Sequence, residues 1–130
     1  MAKGDLGKLY RNGEVLCREG DKGDHMFIIQ QGTVEVVTSN GGRETSLATL
    51  TEGAIIGEMA VFEKEPRSAT VRAVGDVRAL TVDKKNLLRR VSEDPTLAFR
   101  LIQTLSERVR RLSISVRDLT DEVEQLRSPR

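Results

Sequence analysis

Residues 56–71 read IGEMAVFEKEPRSATV, and the fold turns on what this stretch does among its neighbours. An acid, Glu58, follows Gly57. An apolar turn over Met59–Phe62 and a charged run, Glu63-Lys64-Glu65, lead to Pro66, Arg67 and Ser68. Ala69-Thr70-Val71 then returns to a strand-like pattern. Short segments rich in β-branched and apolar residues surround the stretch: 26–29, 34–37, 47–50, 70–73 and 79–82. Turn signals separate them at Gly20-Asp21-Lys22-Gly23-Asp24, Gln31-Gly32, Asn40-Gly41-Gly42, Glu52-Gly53 and Gly75-Asp76. Asn40-Gly41 is a strong hairpin signal. Several short strands at this spacing predict an antiparallel sandwich or barrel.

The period changes after Val82. Asp83 can cap a helix over 84–91, and Asp94-Pro95 suits the start of a second one. Nothing breaks that second helix before Ser128-Pro129, so it is expected to run over 95–127. Leu105, Val109, Leu112, Val116, Leu119, Val123 and Leu126 are spaced 4, 3, 4, 3, 4, 3 along it. Valine falls at every a position and leucine at every d position, which favours a parallel two-stranded coiled coil. Glu122 at g and Arg127 at e would pair across two such chains. A strict a/d stripe is narrower than the face a helix uses on its own domain. The stripe therefore predicts a homodimer joined over about 105–126, with 97–105 packed on the β domain.

The chain has 130 residues, enough for one cored domain. Its 38% hydrophobic and 32% charged content is that of a globular protein. Net charge is +1, so no global field draws it to nucleic acid or membrane. Residues 1–83 carry 10 basic and 13 acidic side chains, so an anion bound there needs a local device. With one cysteine, Cys17, no intrachain disulfide is possible. The first residues lack the apolar run of a signal peptide, and no stretch is apolar enough to span a bilayer. A cytoplasmic location is expected. One histidine, His25, and no clustered ligands exclude a multi-histidine metal centre and make an enzyme a poor reading. Arg108, Arg110 and Arg111 read as a solvated helix face.

The residue types in 56–71 suit an anionic nucleotide. A desolvated phosphodiester charge must be paired. An arginine fork pairs it through two charge-assisted hydrogen bonds. Backbone amides at the start of a helical turn add to the pairing. A 3′,5′-cyclic phosphate leaves the ribose 2′-hydroxyl free, and a carboxylate accepts from it. Ile56-Gly57-Glu58-Met59-Ala60 followed by Pro66-Arg67-Ser68-Ala69-Thr70-Val71 resembles the phosphate-binding cassette of the cyclic nucleotide-binding domain family. Gly13-Glu14-Val15, the 18–24 turn and Ile28-Ile29-Gln30-Gln31-Gly32-Thr33-Val34-Glu35-Val36 resemble that family's first strands and turns. The likeness covers about 10–115 and is greatest to its bacterial transcription activators.

The resemblance implies an antiparallel, jelly-roll-like β-roll with short helices and a long C-terminal dimerisation helix. It implies a nucleotide-binding domain over 1–94, with its cassette at 56–71, and a closing helix over 95–127. Glu58 and the Gly57 backbone would hold the ribose. Arg67, Ser68, the Ala60 amide and the adjoining Ala69 would hold the phosphate, and an incoming anion would draw Arg67 inward. Val36 and Leu47 would line the base pocket. Ser115 would meet the base from the long helix, whereas Val116 replaces the hydroxyl residue of the activators. Ser68 after Arg67 favours cyclic AMP, with cyclic GMP admitted. No cofactor is implied beyond this ligand. The activators carry a DNA-binding module after the long helix, and none follows here, so no direct DNA contact is expected. The resulting expectation is a noncovalent cyclic nucleotide sensor coupled to its dimer helix, with its downstream protein partner unspecified. The alternatives are a dimer module of the same fold without nucleotide, or a sensor piece of a larger regulator or channel.

Overall fold

A computed structural model describes residues 6–127. The chain divides between Asp94 and Pro95 into two compact units. In the first, six strands form one antiparallel sheet: β1 (Lys8–Tyr10), β2 (Val15–Cys17), β3 (His25–Asn40), β4 (Arg43–Leu50), β5 (Ile55–Ile56) and β6 (Thr70–Asp83). Its order is β1-β6-β3-β4, with β2 also on β6 and β5 also on β3. Helix α1 (Glu58–Phe62) sits between β5 and β6, and α2 (Lys84–Glu93) follows β6.

The predicted hairpin at Asn40-Gly41 is present: Asn40 pairs with Arg43 across a two-residue turn. The breaks predicted at Gln31-Gly32 and Gly75-Asp76 are not reversals. β3 and β6 run continuously through them, paired from His25–Asp83 to Val37–Thr70. Their register shifts between Ile29 and Gln31 and again between Gln31 and Thr33. Such bulges bend and twist a strand without ending it, so one long ribbon curls where turns between short strands were expected. Tyr10, Phe27, Ile29, Val34, Ile56, Val71, Ala73, Val77 and Ala79 fill the core inside that curl.

Asp83 caps α2 as its sequence predicts, its carboxylate accepting from the Asn86 N–H at 2.8 Å. The second unit is the helix α3 (Pro95–Arg127). Leu97 and Leu101 are its buried residues. The predicted break at Ser128-Pro129 lies outside the described residues.

Candidate ligand-binding site

The cassette is anchored twice on β3. Its leading strand β5 pairs Ile56 with Phe27 and Ile55 with Ile28. Its trailing strand pairs Val71 with Val36 and Thr70 with Val37. Residues 57–69 therefore arch from the start of β3 toward its far end. Gly57 opens the arch at φ 79°, in the left-handed region where a side chain is strained, and caps α1. Glu58, the first residue of α1, is fully buried at 0% exposure. Carboxylates are rarely buried so completely unless they are paired. Ala60 is buried, and its N–H donates to the Gly57 carbonyl at 3.2 Å, so a phosphate would share that donor.

Arg67 is the second buried charge, at 8% exposure. It needs no anion to draw it inward, because its side chain already points there. Its Nη1 donates to the Gly57 carbonyl at 3.4 Å, which links the two halves of the cassette. Its Cζ stands 5.5 Å from the centre of the Phe27 ring. The Arg67 N–H donates to Asp21 O, and Gly20 N–H donates to Arg67 O, both at 2.8 Å. The 18–24 turn thus clamps the cassette from outside. Two more bonds brace the exit. Glu19 N–H donates to Thr70 Oγ1 at 2.9 Å, and Glu19 Oε1 accepts from Ser39 N–H at 2.9 Å. The structure thus brings Gly57, Glu58, Ala60 and Arg67 together. Ser68 is exposed beside them and Ala69 is buried.

Val36 and Leu47 adjoin each other on β3 and β4. Val36 pairs with Ala48 and Val37 with Ser46, so Leu47 is the extra residue of a bulge. A bulge re-aims the side chain it carries, and Leu47 is 58% exposed. Below them Arg72 bridges Glu35 at 2.7 Å and Glu44 at 2.8 Å, tying β6, β3 and β4 together. That pairing holds the Glu44 carboxyl below the usual glutamate range and pushes the Arg72 guanidinium up. Cys17 lies beside Arg67. Burial pushes its thiol up, against the pull of the Arg67 charge and a Val71 backbone hydrogen bond. His25 opens β3 and meets Phe27 edge to face.

Ser115 is an exposed residue of α3 in the second unit. Val109, Leu112, Val116, Leu119, Val123 and Leu126 of the stripe are exposed there too, while Leu105 is half-buried. Ile102, one heptad before Val109, is also exposed, at 63%. The 4, 3 spacing of the stripe thus extends back three residues from Leu105 to Ile102. Val109, Leu112, Ser113, Val116 and Arg117 line a shallow groove on it. Among the described residues, no group of three His, Cys, Asp or Glu side chains is arranged for a metal.

The model of the cyclic nucleotide-binding domain family matches residues 8–94, two thirds of the chain. The chain belongs to the cyclic nucleotide-binding domain family. A CRP-like cAMP-activated global transcriptional regulator of Mycobacterium tuberculosis is 28% identical over 111 residues, covering 85% of this chain and 50% of that protein. A cyclic nucleotide-gated potassium channel of Mesorhizobium japonicum is 38% identical over 96 residues, covering 74% and 25%. Among solved structures, the catabolite activator protein of Thermus thermophilus superposes with a TM-score of 0.78 at 30% identity, covering 87% and 54%. The chain thus spans about half, or less, of the relatives it matches. The β-roll with its long C-terminal helix is the architecture shared with the Thermus protein. The relatives named are a regulator and a channel, each larger than this domain. No described helix is long and apolar enough to cross a membrane.

The contacts made by Arg67 in this cyclic nucleotide-binding domain were not legible in the sequence. Phe27, Gly23 and the Asp21 carbonyl all contact Arg67, yet they lie 40 or more positions earlier in the chain. Gly-Asp-Lys-Gly-Asp was legible as a turn, but no local signal says that a turn meets an arginine.

Proposed function

We propose that this domain binds a 3′,5′-cyclic nucleotide, with cyclic AMP preferred and cyclic GMP admitted, and performs no chemistry on it. The observation that carries the reading is the pair of buried charges on one arch, Glu58 and Arg67, the latter bonded to the Gly57 carbonyl. Arg67 and Ser68 take the phosphate, with the Ala60 amide and Ala69 backbone beside them. Glu58 and the Gly57 backbone take the ribose 2′-hydroxyl. Val36 and the bulged Leu47 line the base. The nucleotide-binding domain covers 1–94 and the helix 95–127.

Two chains join through the valine–leucine stripe of α3, whose exposure along Val109–Leu126 is what a coiled-coil seam shows in a single chain. A nucleotide that favours one arrangement of α3 is linked to the dimer, each biasing the other. We place the protein in the cytoplasm, in keeping with its lone thiol. Calorimetric titration with cyclic AMP, cyclic GMP and 5′-AMP tests the assignment. Both cyclic nucleotides should bind, cyclic AMP more tightly, and 5′-AMP should bind more weakly. Absence of heat with every ligand at saturating concentration overturns the reading.

A further inference from the structure

The Arg67 guanidinium lies in a slot bounded by Phe27, Gly23 and Gly57. Phe27, 1% exposed, presents its ring to the cation, with Cζ 5.5 Å from the ring centre. Gly23 stands against another side. A Cβ added there would lie 2.5 Å from Nη2, 2.8 Å from Nε and 2.9 Å from Cζ. Gly57 bounds a third side, where a Cβ would lie 2.5 Å from Nη1. We propose that Phe27 and Gly23 are positioning residues that hold the Arg67 fork in the orientation in which it grips the phosphate. The proposal rests on the assignment of Arg67 to that phosphate.

The physical reason is rotamer freedom. Arginine loses more side-chain entropy on ordering than most residues, and a side chain oriented beforehand loses less at binding. An aromatic face attracts the guanidinium and favours stacking over a free swing. Gly23 supplies the room. A methyl group there would drive Nη2 back by about 0.9 Å before it reached ordinary contact at 3.4 Å. Misplacement on that scale is enough to spoil a bidentate grip. Gly23 is a cleaner probe than Gly57. It is not a positive-φ glycine, so alanine there acts through its volume, whereas any residue at Gly57 is also strained.

The test uses the full chain and the variants Gly23→Ala and Phe27→Leu. Without ligand, NMR should place the Arg67 δ-protons at a ring-current shift from Phe27, and both variants should shrink that shift. Cyclic AMP affinity should fall on the order of tenfold in Gly23→Ala. It should fall about 3- to 30-fold in Phe27→Leu. Both losses should vanish when Arg67→Ala is already present. Phe27 is a core residue, so its variant is read only if it melts cooperatively; Gly23→Ala carries the test otherwise. Affinity in Gly23→Ala within about twofold of wild type overturns the proposal. So does a loss that persists undiminished in the Arg67→Ala background, or a wild type without the ring-current shift. If wild type binds neither cyclic nucleotide, the proposed function falls. A wild-type ring-current shift that Gly23→Ala abolishes would then still uphold the slot.

Discussion

Replacing Arg67 by alanine removes the one cation that the cassette aims inward. Arg67 is 8% exposed, so water screens its attraction for a bound phosphate only weakly. Its link to the Gly57 carbonyl is long, at 3.4 Å, so little is lost when that contact is traded for a phosphate oxygen. Truncating one partner of a desolvated charge pair leaves the other uncompensated. We expect a loss of about 2–4 kcal/mol, or about 30- to 1,000-fold in Kd. Arg67→Lys keeps the charge without the fork and should fall between alanine and wild type. The ligand-free protein should change little. Alanine forfeits the contact with Phe27 but also removes a desolvated cation, and these effects oppose each other within about 1 kcal/mol. The assay is calorimetric titration with cyclic AMP, accompanied by thermal melts. Unchanged affinity in a variant that melts like wild type refutes the phosphate assignment. A loss matched by collapse of the melt shows that Arg67 holds the fold rather than the ligand.

Other outcomes follow from single contacts. Asp83→Ala strips the cap from α2, and urea denaturation should show a loss of about 1 kcal/mol. Leu112→Glu puts a charge into the proposed seam, so light scattering should find a dimer in wild type and a monomer in the variant. A monomeric wild type would discard the seam. Because burial raises the Cys17 thiol, alkylation at mildly alkaline pH should be slower than for a free cysteine and should accelerate on unfolding. The fold loses that part of its stability as pH rises from the ordinary thiol value through the raised one. Glu44 has the opposite sign. Its lowered value means that the bridge to Arg72 contributes fully above the ordinary glutamate range and is lost as pH falls through the lowered value. Glu44→Gln should therefore flatten acid-side melting curves.

The cassette, the Asn40-Gly41 hairpin, the Asp83 cap and the α3 stripe were all legible because each rests on residues within a few positions of one another. Turn chemistry, capping and heptad spacing are local rules, and the amino-acid order alone satisfies them. The identities of Glu58 and Arg67 as charges worth burying came from the same local pattern. Their burial did not. Glycines at 32 and 75 signal a departure from straight strand, but pairing along the whole ribbon decides between a bulge and a reversal. Leu47 is a bulged residue only because β4 slips one position against β3. Gly23 and Phe27 face Arg67 only because β5 pairs beside Phe27 and the 18–24 turn bonds to the Arg67 backbone. These are contacts between positions tens of residues apart, set by strand register, and register minimises the energy of the whole sheet rather than of any one segment. The order of residues determined which chemistry this protein carries; the register of β3 against its partners decided where that chemistry meets.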